Sequence, residues 1–447
     1  MSSGHADMVH GRVAFSEAFR AFAKIGFLSF GGPAGQIALM HKILVDEKKW
    51  LDEARFLHAL SYCMLLPGPE AMQLASYAGW LLHGVKGGLM AGLLFVLPGA
   101  VVLTLLSSLY LLLGEVTLVQ GLLFGLKAAV LAVVLEALVK VSKRALKSRA
   151  MVVIAILAFV AIAFLKLPFP VIILAAAAIG AMLHFSGRNV AAGAPQATVP
   201  AADMPEWTRP NARRFVSTLA VWLALWFGPL LALHAWLGSG NVFAKEASFF
   251  SVMAAVTFGG AYAVLAWVAQ QAVEVYGWLR PDEMLTGLGL AETTPGPLIL
   301  VLVFVGFLGG ARLSGLEPLT GGLAGAAVTL WFTFVPCFLW IFVGAPYVET
   351  VRNVRWLATA LSAVTAAVVG IIANLALWFG LHVLFGTVRD VAFGPLSFPV
   401  PELMTFHAAA AVIAVAAGIA LLHFHANMIA VLGAAALAGM ALSSAGI

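Results

Sequence analysis

Long apolar runs alternate with short polar turns along most of the chain. Runs near 87–113, 118–139, 150–165 and 168–184 approach or reach the ~18–20 residues that a helix needs to cross a hydrocarbon core. A second set lies near 320–343, 356–385, 404–422 and 428–442. Between 15 and 98 the pattern changes. Ser29-Phe30-Gly31-Gly32-Pro33 and Leu66-Pro67-Gly68-Pro69-Glu70 interrupt the apolar sequence, leaving flanking runs of only about a dozen residues, too short to span. Proline lacks an amide donor and glycine loosens the backbone, so neither belongs inside a plain spanning helix. Within a membrane, broken backbone survives only where protein buries it or where it lines a polar cavity. The segment 15–30 is expected to be amphipathic, with Phe15, Ala18, Phe19 and Phe22 on one face and Glu17, Arg20 and Lys24 on another.

The same breaks return in the second half. Phe258-Gly259-Gly260 repeats Phe30-Gly31-Gly32, and Thr294-Pro295-Gly296-Pro297 repeats Leu66-Pro67-Gly68-Pro69. Phe30 and Pro67 are 37 positions apart, as are Phe258 and Pro295. Trp50 and Trp278 each follow their phenylalanine by 20 positions, and Phe15 and Phe243 each precede theirs by 15. Val96-Leu97-Pro98 is echoed by Phe334-Val335-Pro336 after a ten-residue insertion around 311–319. This agreement marks an internal duplication. An isolated pair of such breaks reads more readily as kinks that let helices pack; recurrence at fixed spacing turns the reading toward a site.

Composition fixes the class. The 447 residues are 62% hydrophobic and 10% charged, against roughly 25% charged in soluble proteins, and the mean hydropathy is +1.01. The chain is expected to be an all-α polytopic membrane protein, since the strands of a β-barrel would alternate in polarity. Its formal charge of +5 fits basic loops on one membrane face and not nucleic-acid binding. The two cysteines, Cys63 and Cys337, lie in apolar surroundings without metal-ligand spacing, so neither a disulfide framework nor a metal or other cofactor is expected. The polar start at 1–12 does not resemble a cleavable signal. Trp50, Trp80, Trp207 and Trp278 fit interfacial anchors, and His41, His58 and His83 fit interfacial positions.

Charge sets orientation. Lys140, Lys143, Arg144, Lys147 and Arg149 crowd one short loop, which places it in the cytoplasm, whereas the corresponding loop of the second half, 386–402, has only Arg389 against Asp390 and Glu402. Conversely, 114–117 carries Glu115 and no base, while its counterpart 344–355 carries Arg352 and Arg355. An odd extra span between two similar halves produces such a swap. The expected layout is a cytoplasmic N-terminal segment (1–14), a first repeat (15–185), a cytoplasmic linker (186–214), an extra span (215–237) and an inverted second repeat (243–444), with the C-terminus outside. Arg312 sits on the wrong side of this scheme. Inverted repeats with discontinuous helices are a transporter signature, with the site near mid-bilayer where the repeats meet.

Helices starting at the breaks would direct unpaired amides and the positive end of the helix dipole at a guest between them, which suits a small oxyanion. The candidate binding residues are Ser29, Gly31, Gly32, Gln36, Gly68, Gln73, Gly259, Gly260, Thr293, Thr294 and Gly296. Each polar one, taken singly, is more readily explained as a helix-packing hydrogen bond. Glu70 and Glu292 lie within a few residues of the two PGP breaks, where an ionised carboxylate is costly. They are candidates for titration or for ordering donors, with Glu70 equally suited to cap its own helix. Lys24 and Lys127 could supply positive charge, with snorkelling as the plain alternative. No GxSxG, HExxH or P-loop occurs, which leaves a membrane enzyme using the cavity without support and argues against ATP drive within the chain.

Gly26-Phe27-Leu28-Ser29-Phe30-Gly31-Gly32-Pro33, Gly35-Gln36-Ile37-Ala38, Trp50 and Leu66-Pro67-Gly68-Pro69-Glu70-Ala71 together resemble the chromate ion transporter (ChrA-type) family. Gly79-Trp80, His83-Gly84, Gly87-Gly88 and Leu97-Pro98-Gly99 extend the likeness, as do Phe258-Gly259-Gly260-Ala261-Tyr262 and Ala291-Glu292-Thr293-Thr294-Pro295-Gly296-Pro297. The length resembles that of the two-repeat members. The resemblance implies a bacterial inner-membrane exporter of chromate that confers resistance, driven by membrane potential or a proton gradient. Sulfate, of the same shape and charge, is the alternative substrate, and proton-coupled sulfate or oxyanion uptake the alternative direction. Membrane lipid is the expected surrounding, and a homodimer is compatible with the sequence.

Overall fold

The computed structural model describes residues 13–186, 206–258, 260–347, 355–394 and 396–445. The expected segments at 1–12 and 187–205 lie outside them. Among the described residues are sixteen α-helices and one two-stranded hairpin. Five of the helices are long and apolar enough to cross a membrane. The chain is an all-α polytopic membrane protein built from two inverted repeats.

In the first copy, α1 (Phe15–Leu28) ends at Ser29, the backbone turns through Gly31 at φ 85°, and α2 (Gly32–His41) runs on through a π turn, Lys42–Glu47. Lys48 then meets Glu17 at 2.8 Å, so the two arms form a hairpin whose ends share one face. The packed side of α1 is Ala18, Ala21, Phe22 and Ile25. This corrects the expected apolar face, because Phe15 and Phe19 turn outward: α1 approaches α4 so closely at Gly26 that a Cβ there would lie 1.9 Å from the Leu94 carbonyl oxygen.

A second hairpin follows. Asp52 accepts the Arg55 amide and caps α3 (Glu53–Cys63). After the break at Pro67-Gly68-Pro69, α4 (Glu70–Leu113) returns and folds back at His83-Gly84, where Gly84 adopts φ 59°. Glycine is required at that fold: a Cβ on Gly79 would stand 2.3 Å from the Gly87 oxygen. Helices α5 (Thr117–Ala145), α6 (Arg149–Ala163) and α7 (Phe169–Phe185) complete the copy.

After α8 (Ala212–Leu237), which buries only Trp222 and Trp226, the sequence of elements repeats. It comprises α9 (Val242–Val256), α10 (Ala261–Gln270) with its own π turn at Gln271–Val275, α11 (Pro281–Glu292), α12 (Val301–Leu313), α13 (Pro318–Gly344), α14 (Arg355–Leu384), α15 (Ala408–Leu422) and α16 (Met428–Ser444). The ten-residue insertion divides into α12 and α13 what the first copy keeps as the folded-back α4. Between α14 and α15 the chain forms an antiparallel hairpin, β1 (Val388–Phe393) with β2 (Leu396–Pro401), which the apolar pattern did not foreshadow.

The inversion is visible in the contacts. His83 at the fold of α4 packs on Phe15, beside the ends of the first hairpin. At the other end of α4, Tyr110 donates to Glu283, beside the ends of the hairpins of the second copy. The Trp207 indole bonds Trp80 on the first face, whereas Ser397 bonds Phe164 and Ser443 bonds Thr117 on the second. Arg312 belongs to the second face after all, neutralised by Glu283 through two bonds of 2.6 and 2.7 Å.

The copies interlock. Helix α5 packs on α15 and α16, and its counterpart α14 packs on α6 and α7. Small residues allow the approach: Cβ atoms on Gly125 and Gly370 would lie 1.9 and 2.0 Å from the oxygens of Ala435 and Ala155. Trp278 and Trp80 are core residues, contrary to the expectation of interfacial anchors. His58 is buried too. His41 does lie at a hairpin end, where its bond to Glu53 raises its proton affinity above the ordinary imidazole value, against the opposing cost of burial.

Gly125→Val should therefore lower the melting temperature of the purified protein in detergent by several degrees, the mark of an overpacked joint costing about 1–3 kcal/mol or more. Gly433→Ala, on the exposed face of α16 with nothing within 4 Å of its Cβ, should leave the melting temperature unchanged or raise it.

Candidate functional site

The two kinds of break meet across the copies through one repeated bond. The Gly296 amide donates to the Ser29 carbonyl at 2.8 Å, and the Gly68 amide donates to the Thr257 carbonyl at 2.7 Å. Both members shift by 228 positions, Ser29 to Thr257 and Gly68 to Gly296, so the pair is one contact made twice by a pseudo-two-fold relation. The hydroxyl partners repeat as well. Ser29 Oγ donates to Ile25 and Thr257 Oγ1 to Met253, both at 2.6 Å, closing the last turns of α1 and α9.

The PGP breaks are thereby closed. Gly68 and Gly296 hold φ 120° and 94°, a conformation open to glycine, and their amides are committed to the opposite copy. Each is also enclosed. Gly99 of α4 lies so near the Pro295 oxygen that a Cβ would stand 1.9 Å from it, and Gly68 lies against Cys337 Sγ. Gln36 reinforces one side, its amide nitrogen donating to the Gly296 oxygen at 2.6 Å. Gln73 donates to Pro67 at 2.7 Å on the other. Both glutamines are buried and keep an unpartnered amide oxygen, which costs about 1–3 kcal/mol apiece in a dry interior. Val264 and Val301 stand at the equivalent positions of the second copy, so the polar reinforcement belongs to the first alone.

The FGG breaks are open. Helix α2 starts at Gly32 without a side-chain cap, and Cβ atoms on Gly31 or Gly32 would meet nothing within 4 Å. The first amides of a helix have no intrahelical acceptor, so those of Gly32 and Ala34 lie uncapped at the positive end of α2. Gly260 opens α10 in the same way, uncapped and uncrowded; Gly259 lies outside the described residues.

The remaining candidates fall in three places. Thr293 and Thr294 donate to Leu290 and Ala291, both at 2.8 Å, and so finish α11. Glu70 begins α4 directly after the PGP break, and the positive charge whose field reaches it is Arg144 of α5. Glu292, 4% exposed, accepts a hydrogen bond from the Tyr262 hydroxyl. The two lysines lie elsewhere. Lys24 pairs with Glu47 at 3.7 Å at the hairpin ends, and Lys127 pairs with Asp282 at 3.0 Å at the start of α11. Lys127 lines a cavity of about 820 Å³ together with Arg280 and Arg312.

Sequence reasoning missed Thr257, Gly99, Tyr262 and Cys337. Thr257 was within reach, since it stands 228 positions after Ser29 and is also a hydroxyl residue. Gly99 and Tyr262 stood within the motifs of the family resemblance without a role attached, and Cys337 carried no signal apart from its place next to Pro336.

With the geometry in place, comparison with known proteins gives a direct result. The sequence profile described as Chromate transporter matches residues 16–181 and 245–440. The chain belongs to the chromate transporter family. Within it, the chain is 31% identical over 367 residues to a chromate transport protein of Pseudomonas aeruginosa, covering 80% of each chain. It is 28% identical over 356 residues to a chromate transport protein of Cupriavidus metallidurans, covering 79% of each. A probable chromate transport protein of Synechococcus elongatus is 27% identical over 404 residues, 88% of this chain and 93% of that one. No solved structure matches the chain. The two profile segments fall on the two copies and omit α8, in keeping with a chromate transporter family member built from a duplicated unit and one connecting span.

Closed and open breaks should respond differently to a methyl group. Gly31→Ala costs only the left-handed backbone, about 1–2 kcal/mol, and should shift the melting temperature by no more than about 4 °C. Gly99→Ala, driven into the Pro295 oxygen, should shift it by more. Equal shifts measured side by side in detergent would contradict the distinction.

Proposed function

We propose that this chain is a secondary transporter that carries chromate outward across the bacterial inner membrane and thereby confers resistance. The oxyanion is held at the open FGG ends of α2 and α10, and the N-terminus and linker are cytoplasmic. One observation carries the reading: the reciprocal Gly68–Thr257 and Gly296–Ser29 bonds lock the PGP breaks and so leave the FGG amides as the available donors. A tetrahedral dianion suits such donors, because glycine backbone approaches its oxygens closely and helix ends supply positive potential without a full charge. The names of the relatives support chromate as the substrate, and the basic loop 140–149 supports the orientation. Ser29, Gln36, Gln73, Thr293 and Thr294 serve in this reading to shape the backbone around the guest.

The driving force follows from charge. One charge crossing 100 mV is worth ~2.3 kcal/mol, so a dianion leaving a negative interior gains about 4.6 kcal/mol. At 1.4 kcal/mol per decade this sustains a gradient of roughly a thousandfold. Export needs no proton, whereas uptake would need at least two merely to cancel the charge. The second reading, proton-coupled uptake of sulfate or a related oxyanion, is favoured by one observation: a carboxyl group, Glu292, is buried beside the break.

Reconstituted vesicles distinguish the two. Chromate efflux should accelerate several-fold when the donor compartment is made negative, and it should persist when the pH gradient is collapsed. Flux that requires a pH gradient and ignores the imposed potential would replace export with proton-coupled uptake.

A further inference from the structure

The contacts around the breaks come in symmetric pairs, with Tyr262–Glu292 as an exception. Tyr262 lies two residues after Gly260, in the first turn of α10, and Glu292 ends α11 just before the PGP break of the same copy. Their hydrogen bond ties the FGG and PGP breaks of the second copy together. The positions 228 earlier are Ala34 and Met64, which cannot form such a bond; Met64 is 45% exposed. The duplicated fold therefore does not need this contact, since the first copy builds the same hairpins without it.

We propose that the copies divide the work. The first presents open amides to the oxyanion, and in the second Tyr262 acts as a positioning residue that holds the Glu292 carboxyl at the break, where its negative charge competes with the anion until it takes up a proton. This rests on the oxyanion-transport reading above. A carboxylate and a dianion near the same helix ends repel in a medium of low dielectric, so anion binding and protonation of Glu292 favour one another. The phenol works against that protonation, because a hydrogen bond donated to a carboxylate favours its charged form.

The neighbours of Glu292 are few. Glu136 and Lys140 of α5 are the other charged groups whose fields reach it, and they pair with each other at 2.6 Å. At the other end of α11, Lys127 holds Asp282, and Arg312, Arg280 and Tyr110 hold Glu283; α4, which also packs on α11, carries Glu70 at its start and Lys86 near its fold.

Chromate binding to the purified protein, followed by calorimetry across pH, tests the proposal. In the parent the binding constant should fall by about tenfold per pH unit above a midpoint, the signature of one proton taken up with the anion. Tyr262→Phe, which keeps the ring and removes the donor, should move that midpoint to higher pH. Glu292→Gln should abolish the dependence, and adding Tyr262→Phe to it should change nothing further. With binding expressed per chromate dianion, to remove the anion's own protonation, an unmoved midpoint in Tyr262→Phe, or a pH dependence surviving Glu292→Gln, would overturn the proposal. Absence of chromate binding in the parent at every pH would instead overturn the substrate reading. Infrared titration of the protonated carboxyl band lost in Glu292→Gln then still decides the Tyr262 contact: a band that titrates identically in Tyr262→Phe overturns it.

Discussion

A backbone amide in the membrane interior must find an acceptor within the protein, and that requirement organises this molecule. Helices broken by glycine and proline leave such groups orphaned. Here neither copy satisfies its own PGP break. The Gly68 amide is taken by Thr257, and the Gly296 amide by Ser29. Each copy completes the other, and the single chain holds the two together. The interlocking of α5 with α15 and α16, and of α14 with α6 and α7, extends the same dependence to the outer helices.

Closing one kind of break leaves the other as the site proposed here. With the PGP amides committed, the donors left over sit at the starts of α2 and α10, where glycine at Gly31, Gly32 and Gly260 leaves space. The symmetric framework then carries an asymmetric set of side chains. Gln36 and Gln73 come only from the first copy, bonding Gly296 and Pro67, and Tyr262 with Glu292 only from the second. The duplicated unit supplies two equivalent sets of breaks, and the side chains around them differ.

Much of this was legible in the sequence because glycine and proline punctuate a membrane helix so strongly. The breaks, their recurrence and the swap of loop charge were all readable, and with them the inverted repeat. Which break is open was not, since Gly68 and Gly31 look alike until the partner of each amide is known. The outward turn of Phe15 and Phe19 was hidden because the packed face of α1 is chosen by the close approach of Gly26 to Leu94, a tertiary contact. Trp278 and Trp80 were misplaced for a related reason: tryptophan suits an interface and a core equally by composition. Arg312 looked misplaced until Glu283, 29 positions earlier, was seen to neutralise it.

The most direct test of the central contact uses a thiol already present. A Cβ at position 68 would lie 2.9 Å from Cys337 Sγ, across the boundary between the copies and within disulfide reach. In a Cys63→Ser background, Gly68→Cys should form a bond to Cys337 on mild oxidation of the monodisperse protein, detected by mass spectrometry as a linkage between the two halves. A protein that remains monodisperse while both thiols stay free under the same oxidation would contradict the meeting of the two copies at the PGP break.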